Sequence, residues 1–539
     1  MAMLTVLAAA LVTAQGAPVV FNYSSPVTPS ECPYSVTLDG NAVPIEKVGA
    51  YQGAYYCRFG FTGKLKAEVR VKATAATIFT LKPERFRTNV NEIKKGISFD
   101  IGEPGPRVIT TVCGSKELWP LIILAEELVN EPDYPLGKML YVKDYVKGDG
   151  PQTANIQRAL DDAAAKDGGH LVFGPGVYVT GPLFVKSGTF VHLEAGSVIR
   201  ASTNPADWPT GQDSRDSRSP GAQTPALINF INCKRGYIKG PGVVDAMGHV
   251  LREHDLHINA LKIWGCENLF VGNVVLANAG SWTMHILGSK NIRVKGLRII
   301  ADWAVGNTDG INPDCSQDVL IEDFFGYCGD DTFAVKTTSR DPNVQGCKNI
   351  TIKDSTVMTR KTAFKIGTET HKDVSHVTVE NCEAINTARG IGIYVRDGGS
   401  ISNVTYRDVK LDLMEYPGEG SSGSPITADI RKRKGIGKLS GVTFERINAY
   451  AEFGSMLKGL DESPIENVTL RNCEFTLGNR SIKLKPVPWF SLSNCKNLRF
   501  EDIRLKWDTA LRTIWETPIK QEKCESVTLD EVKEIEPAN

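Results

Sequence analysis

A self-similar unit, repeated through the second half of the sequence, constrains this chain more than any other feature. A small or polar residue, then apolar-x-apolar, then a polar pair recurs as Cys266-Glu267-Asn268-Leu269-Phe270-Val271, Lys290-Asn291-Ile292-Arg293-Val294-Lys295, Gln317-Asp318-Val319-Leu320-Ile321-Glu322 and Lys348-Asn349-Ile350-Thr351-Ile352-Lys353. It continues through His376-Val377-Thr378-Val379, Asn403-Val404-Thr405-Tyr406, Gly441-Val442-Thr443-Phe444, Asn467-Val468-Thr469-Leu470, Asn497-Leu498-Arg499-Phe500 and Ser526-Val527-Thr528-Leu529. Each unit alternates with period two and is rich in β-branched residues, which is the signal of a strand and not of a helix. The units follow one another at roughly 23 to 38 residues, too close for βαβ units with full helices and suited to single turns of a parallel β-helix. The expected fold class is all-β: a right-handed parallel β-helix with an N-terminal β-sandwich domain.

A length of 539 residues leaves room for more than one domain. Strand-like runs such as Lys66-Ala67-Glu68-Val69-Arg70-Val71 and Gly96-Ile97-Ser98-Phe99-Asp100-Ile101, set between turn residues, read as a sandwich over residues 18–140, with the β-helix over 141–539. Residues 153–166 carry Ile156, Ala159, Leu160 and Ala163 at helical spacing, as expected of a short amphipathic helix covering the open end of the coil stack. The apolar stretch from Leu4 to Ala14, followed by small residues, reads as a signal peptide over residues 1–17 and implies a secreted or periplasmic protein, although the basic n-region is missing. Formal net charge is zero, which points to neither nucleic acid nor an anionic membrane as partner, and no later stretch is long and apolar enough for a membrane span.

Cys233, Cys266, Cys347, Cys495 and Cys524 occupy one slot before their strands, and Cys382 and Cys473 a second slot after theirs. Cysteines locked to a repeat are expected as stacked small core residues. None shows Cys-x-x-Cys spacing, so neither metal nor other cofactor is expected. Cys32 and Cys57 are the pair expected as a disulfide.

Two acidic motifs lie one repeat apart, Asn307-Thr308-Asp309-Gly310 and Gly329-Asp330-Asp331. Aligning the coils on Ile311, Phe333, Phe364 and Ile391, with Pro313, Val335, Ile366 and Ile393 as a second column, stacks Asp309, Asp331, Thr362 and Arg389 in a third, with Asp330 beside it. Strands in adjacent coils lie about 4.8 Å apart, so three carboxyl groups would share one patch, which raises at least one of their pKa values. One protonated acid beside two carboxylates is what inverting glycoside hydrolysis requires. Either motif alone is better explained by turn chemistry.

Together these motifs resemble the signature of the polygalacturonase-type glycoside hydrolases, family 28. The segment Gly174-Pro175-Gly176-Val177-Tyr178-Val179-Thr180-Gly181-Pro182-Leu183, through Leu193-Glu194-Ala195-Gly196-Ser197, is similar to that family's first coils. The resemblance covers residues 141 to the end. It implies a right-handed β-helix that hydrolyses a pectic polysaccharide with inversion, with Asp330 as general acid and Asp309 and Asp331 activating water. Two positions depart from the pattern. Thr362 stands where the family carries a histidine, and Gly392 and Tyr394 stand at the two basic positions that hold a substrate carboxylate. In the column alignment Lys365 precedes Gly392 by one coil and Lys336 precedes Tyr394 by two, so these lysines can supply the missing charge.

Lys336, Lys365, Glu369, His371, Arg389, Tyr394 and Arg396 are the substrate-binding candidates, with Glu369 and His371 expected on a loop. Each has a plainer reading as a solvated strand face or a turn. Trp282 and Trp303 suit sugar stacking or core packing equally, and Arg431-Lys432-Arg433-Lys434 reads as an exposed turn. The alternatives to a pectic hydrolase are a family 49 dextranase-type β-helix, a β-helix polysaccharide lyase using calcium, and a non-catalytic glycan-binding β-helix. The partner in every case is a polysaccharide or oligosaccharide; the sugar, the linkage, the direction of attack and the oligomeric state are not encoded legibly.

Overall fold

The computed structural model describes residues 18–21, 32–73, 75–128, 139–148, 150–166, 168–209, 225–339, 341, 343–416, 423–478, 488–507 and 518–535. The expected signal peptide lies outside the described residues. The chain forms two compact units, Met1–Lys47 with Ala54–Tyr134, and Val48–Gly53 with Pro135–Asn539.

The first unit is a β-sandwich. Tyr34–Leu38, Asn41–Val43, Leu65–Val71, Thr88–Ile93 and Gly96–Ile101 make one sheet, and Ala54–Phe61, Thr77–Lys82, Gly105–Cys113 and Lys116–Glu127 are the principal strands of the other. Period-two alternation puts Leu65, Ala67, Val69 and Val71 inside, against Leu38, Phe59, Phe99, Ile109 and Ile123. The expected Cys32–Cys57 bridge is absent: all twelve cysteines are free thiols. Cys57 is turned into the sandwich core, where burial pushes its thiol up to about 12, while the Cys32 Sγ lies 3.6 Å from the Tyr34 carbonyl.

The second unit is a right-handed parallel β-helix, its described strands running parallel in a sheet of twenty-one strands and a sheet of twelve. The repeat units stack in register: Ile292 pairs with Val319, which pairs with Ile350 and then Val377. Two side-chain ladders account for the polar part of the repeat. Asn268, Asn291, Asp318 and Asn349 all take positive φ between 53° and 57°, a region where Asn and Asp are least penalised, and the Asn349 amide donates to Asp318 Oδ1 (2.8 Å). In the slot before each strand, backbone N–H groups reach the small side chain of the next coil: Cys233 to Cys266 Sγ (3.3 Å), Cys266 to Ser289 Oγ (3.0 Å), Ser289 to Ser316 Oγ (3.0 Å) and Ser316 to Cys347 Sγ (3.4 Å). Cysteine and serine are interchangeable there because the slot needs a small side chain that accepts one hydrogen bond.

The helix Thr153–Ala165 buries Ile156, Ala159, Leu160 and Ala163 in the β-helix core with Leu171 and Val191, as the spacing predicts. Arg431-Lys432-Arg433-Lys434 is not a turn. It is the exposed end of the strand Ser424–Gly435, whose first seven residues are buried. Val48–Gly53 packs among the coils: the Asp302 carboxylate accepts from the backbone N–H groups of Ala50 (2.7 Å), Tyr51 (2.8 Å) and Gln52 (2.9 Å). Trp303 N–H then donates to the Gln52 carbonyl (2.9 Å), Tyr327 Oη to the Gly53 carbonyl (3.2 Å), and Arg360 to Gln52 Oε1 (2.8 Å).

Candidate active site

The two acidic motifs sit at the start of adjacent strands of the twelve-stranded sheet, Ile311–Asp314 and Phe333–Thr337. Ile311 pairs with Phe333, Phe333 with Phe364 and Phe364 with Ile391, so the inward column is the one aligned from the sequence. The Phe333 and Phe364 rings stack with centroids 5.9 Å apart at 11°. This fixed core row holds the preceding residues in step. Gly310 N–H donates to the Asp331 carbonyl and Thr332 N–H to the Thr362 carbonyl (both 2.9 Å), which places Asp309 and Asp331 one coil apart. The glycine of each motif is a close-approach position. A Cβ on Gly310 would lie 2.4 Å from the Thr332 carbonyl oxygen, and one on Gly329 2.4 Å from Thr308 Oγ1.

Two lysines enter the cluster from the outward face. Lys336 Nζ lies 3.3 Å from Asp309 Oδ2, and Lys365 Nζ 2.6 Å from Asp331 Oδ2. Asp331 also accepts from Thr362 N–H (3.1 Å), at the position where the resemblance leads one to expect a histidine. Asp330 Oδ1 accepts instead from the Asp331 N–H (2.8 Å). Asp309 and Asp331 are buried, whereas Asp330 remains partly exposed.

These surroundings split the three acids. Burial raises the Asp331 pKa, but the Lys365 ammonium outweighs it and holds the carboxyl below its ordinary range. Lys365 is driven up in return, its own burial overcome by the Asp331 charge. Asp330 is raised by burial and then by the neighbouring Asp331 charge. Asp309, the most enclosed, is raised well above its ordinary value by burial against the pull of Lys336. Three carboxyl groups facing two ammonium groups make a neutral cluster when one proton is retained. The proton is thus shared by Asp309 and Asp330 and withheld from Asp331.

Of the substrate-binding candidates, Lys336 and Lys365 are committed to enzyme carboxylates. Lys336 lies 3.9 Å from the Trp282 ring centroid and 3.7 Å from Glu369. Glu369 belongs to the strand Thr362–Thr370 and not to a loop, and its other oxygen faces Arg433 at 3.6 Å. His371 lies just beyond that strand, 3.8 Å from Asp397, which Arg433 also binds. Arg396 pairs with Asp429 and lies 5.3 Å from the Tyr394 ring, which Lys365 approaches at 5.7 Å. Arg389 is half-buried and pairs in register with Thr362. Trp303 stacks on Tyr327 (4.5 Å, 13°), so it packs against protein.

Sequence reasoning missed Asp302 and the buried His285–Asp314 pair (3.0 Å). The signal for Asp314 was present, since it lies in register with Lys336. For Asp302 no local pattern announces a partner some 250 residues earlier.

Acids clustered at the same position of successive coils are what the family signature requires, and the chain matches the glycosyl hydrolases family 28 over residues 209–495, more than half its length. It belongs to that family. It is therefore a glycoside hydrolase. A probable polygalacturonase of Vitis vinifera is 26% identical over 369 residues, covering 64% of this chain and 74% of its own length. The endo-polygalacturonase of Pectobacterium carotovorum subsp. carotovorum is 25% identical over 405 residues, covering 69% and 96%. Among solved structures, an exopolygalacturonase from Thermotoga maritima superposes with a TM-score of 0.57 at 18% identity, covering 70% of this chain and 93% of its own. A family 28 exopolygalacturonase of Yersinia enterocolitica does so with 0.56 at 16%, covering 90% and 98%. At such identities the solved structures carry the fold alone.

Proposed function

We propose that this family 28 hydrolase cleaves a pectic polysaccharide with inversion, Asp330 donating the proton to the departing glycosidic oxygen while Asp309 and Asp331 orient and deprotonate the attacking water. The observation that carries the reading is the division of partners. Asp309 and Asp331 each face an ammonium group that pulls toward the ionised form, although burial leaves Asp309 raised, whereas Asp330 is partly exposed, its carboxyl accepts only from a backbone N–H among the described residues, and it is raised. A general acid needs access to the leaving oxygen and a carboxyl pushed toward its protonated form, and Asp330 is the partly exposed one of the two raised acids. Deprotonation of water by Asp309 returns the shared proton to the cluster, so the two raised acids exchange protonation states over a turnover.

The pectic substrate is supported by the polygalacturonase relatives and by the basic residues beyond the acids. Arg389 is half-buried, while Arg431, Lys432 and Lys458 are exposed, all on strands that follow the catalytic coils. Because Lys336 and Lys365 are engaged with Asp309 and Asp331, recognition of a uronate carboxylate is assigned to the exposed Arg431, Lys432 and Lys458. Secretion or periplasmic export is part of the same proposal and rests on the apolar stretch from Leu4 to Ala14. Among the described residues no helix is long and apolar enough to cross a membrane.

The test is proton NMR of the first products from a panel of pectic polymers. An inverted anomer is expected. A retained anomer would refute the water-activating roles, and an unsaturated, ultraviolet-absorbing product would show a lyase.

A further inference from the structure

Away from the acid cluster, a cavity of about 580 Å³ opens on the β-sandwich. That volume lies within the range of about 300–1,000 Å³ typical of pockets that enclose small ligands. Paired strands build much of its wall. Lys116 pairs with Cys113 across the turn of the hairpin formed by Gly105–Cys113 and Lys116–Glu127, and Tyr55 pairs with Leu121 from the neighbouring strand Ala54–Phe61. The floor is continuous with the sandwich core: Val71 belongs to that core, and Tyr55 and Leu118 pack against it. The cavity is therefore preformed.

Its lining is aromatic and cationic. The Tyr55 and Trp119 rings have centroids 6.1 Å apart at 40°, and both residues are half-buried, so each offers an apolar face at a wet surface. Tyr34 holds this pair in place: its Oη donates to the Trp119 carbonyl (2.9 Å), and its ring meets Tyr55 edge-on at 5.7 Å. Lys47 Nζ lies 4.5 Å from the Trp119 ring centroid, which keeps one ammonium group beside the rings. Lys72 and Lys116 line the same cavity and are exposed, and Glu117 is the one acidic residue among its described lining. Formal net charge over the whole chain is zero, so three ammonium groups against one carboxylate is a local concentration of positive charge. Such groups repel one another, and an anion bound among them relieves the repulsion.

We propose that this cavity is a second glycan-binding site, which takes a uronate residue of the polymer that the acids cleave. The sugar ring packs against the Tyr55 and Trp119 pair, and its carboxylate accepts charge-assisted hydrogen bonds from the lysines. A neutral sugar would leave the ammonium groups uncompensated. Because the site is carried on the same chain as the hydrolase, its occupancy turns the second binding event into an intramolecular one, and linking two sites in this way raises avidity by about 10²–10⁴-fold. The gain applies to long polymers and vanishes for a short oligosaccharide, which cannot reach both sites. The identity of the sugar rests on the pectic reading above; the site itself uses no residue of the acid cluster.

Affinity electrophoresis of the full chain through gels containing polygalacturonate or dextran tests it, together with hydrolysis of polygalacturonate and of a trigalacturonide. Native protein should be retarded by polygalacturonate and not by dextran. The Lys72→Glu, Lys116→Glu double variant, with both changes at exposed positions, should lose most of that retardation and show a KM for the polymer raised by about 10²-fold, the low end of the gain from linked sites. Its hydrolysis of the trigalacturonide should match that of the native protein. Cys113 gives a readout that needs no substitution, since it lines the cavity and is half-buried: excess oligogalacturonide should slow its alkylation, mapped by mass spectrometry, and leave that of Cys524 unchanged. Equal retardation of native and charge-reversed proteins, or a Cys113 that the oligosaccharide does not protect, would overturn the site and leave the pectic reading intact. Retardation by dextran as strong as by polygalacturonate would overturn the anionic ligand. Protein that binds polygalacturonate through these lysines yet releases no reducing ends from any pectic polymer would keep the site and overturn the pectic reading.

Discussion

Replacing Lys365 with methionine isolates the electrostatics of the site, because methionine keeps most of the side-chain stem and removes only the charge. Lys365 and Asp331 have side chains 13% and 7% exposed and meet at 2.6 Å. Breaking such a buried pair by deleting one partner costs about 3–5 kcal/mol, because the remaining charge is left without compensation. In the native protein the Asp331 carboxyl is depressed, so its contribution is present above the carboxyl's unfolded value of about 3.9 and is lost as pH falls through the lower folded value. Without Lys365, burial dominates and raises the carboxyl. Ionised Asp331 then destabilises the fold at neutral pH, and protonation relieves it as pH falls. The stability gap between native and Lys365→Met proteins should therefore be largest near pH 7 and close on acidification. Urea unfolding followed at several pH values measures it. Restoring neutrality with Asp331→Asn in the Lys365→Met background should recover part of the loss. The acid limb of the activity profile should move to higher pH in the single variant, since Asp331 would take up a proton earlier. A gap of constant size across the pH range, or a double variant no more stable than the single one, would refute the pairing as the source of the Asp331 shift.

Three further outcomes are expected. Asp330→Asn should leave the thermal melt close to native and lower polymer hydrolysis by about 10²–10⁴-fold, with a much smaller loss on an activated aryl glycoside that departs without protonation; equal losses on both would remove Asp330 as the acid. Asp302→Ala deletes three charge-assisted hydrogen bonds to Ala50, Tyr51 and Gln52, each worth about 1.5–3 kcal/mol, so amide exchange at those residues should accelerate while the sandwich strands keep their protection. Because all twelve cysteines are free thiols, reductant should leave the melting temperature unchanged. A fall would reveal a bridge.

The coil stack was legible because the repeat carries its own register. Ile311, Phe333, Phe364 and Ile391 share a period, and the shared period is enough to place Asp309 against Asp331. The columns also put Lys336 and Lys365 on the face that carries the acids. They did not reveal what the two ammonium groups meet there, because alignment gives the strand position of a side chain and not how far its stem reaches. Lys336 crosses from its own row to Asp309, and Lys365 to Asp331. Arg431-Lys432-Arg433-Lys434 was misread for a related reason. Four charges in a row resemble a turn, but one β-helix strand here runs beyond the covered part of its sheet and carries them into solvent. The Cys32–Cys57 pairing failed because domain membership says nothing of side-chain direction, and Cys57 points into the core. Asp302 was out of reach for a different reason: its partners lie about 250 residues away on a segment without repeat character.

The same accounting yields an expectation for salt. Lys336 and Lys365 are buried in ion pairs, and ions in solution screen such pairs little. Arg431 and Lys458 are exposed to solvent, where the Debye length is about 8 Å at physiological ionic strength. If the buried lysines maintain the catalytic carboxylates and the exposed cations attract a uronate chain, raising the salt concentration should increase KM for the polymer while leaving kcat nearly constant. Arg431→Ala and Lys458→Ala should reduce the steepness of that dependence, since each removes a screened attraction and no group of the acid cluster. A kcat that falls with salt as steeply as kcat/KM would place the screened charges in the chemical step, and the division between buried and exposed cations would have to be abandoned.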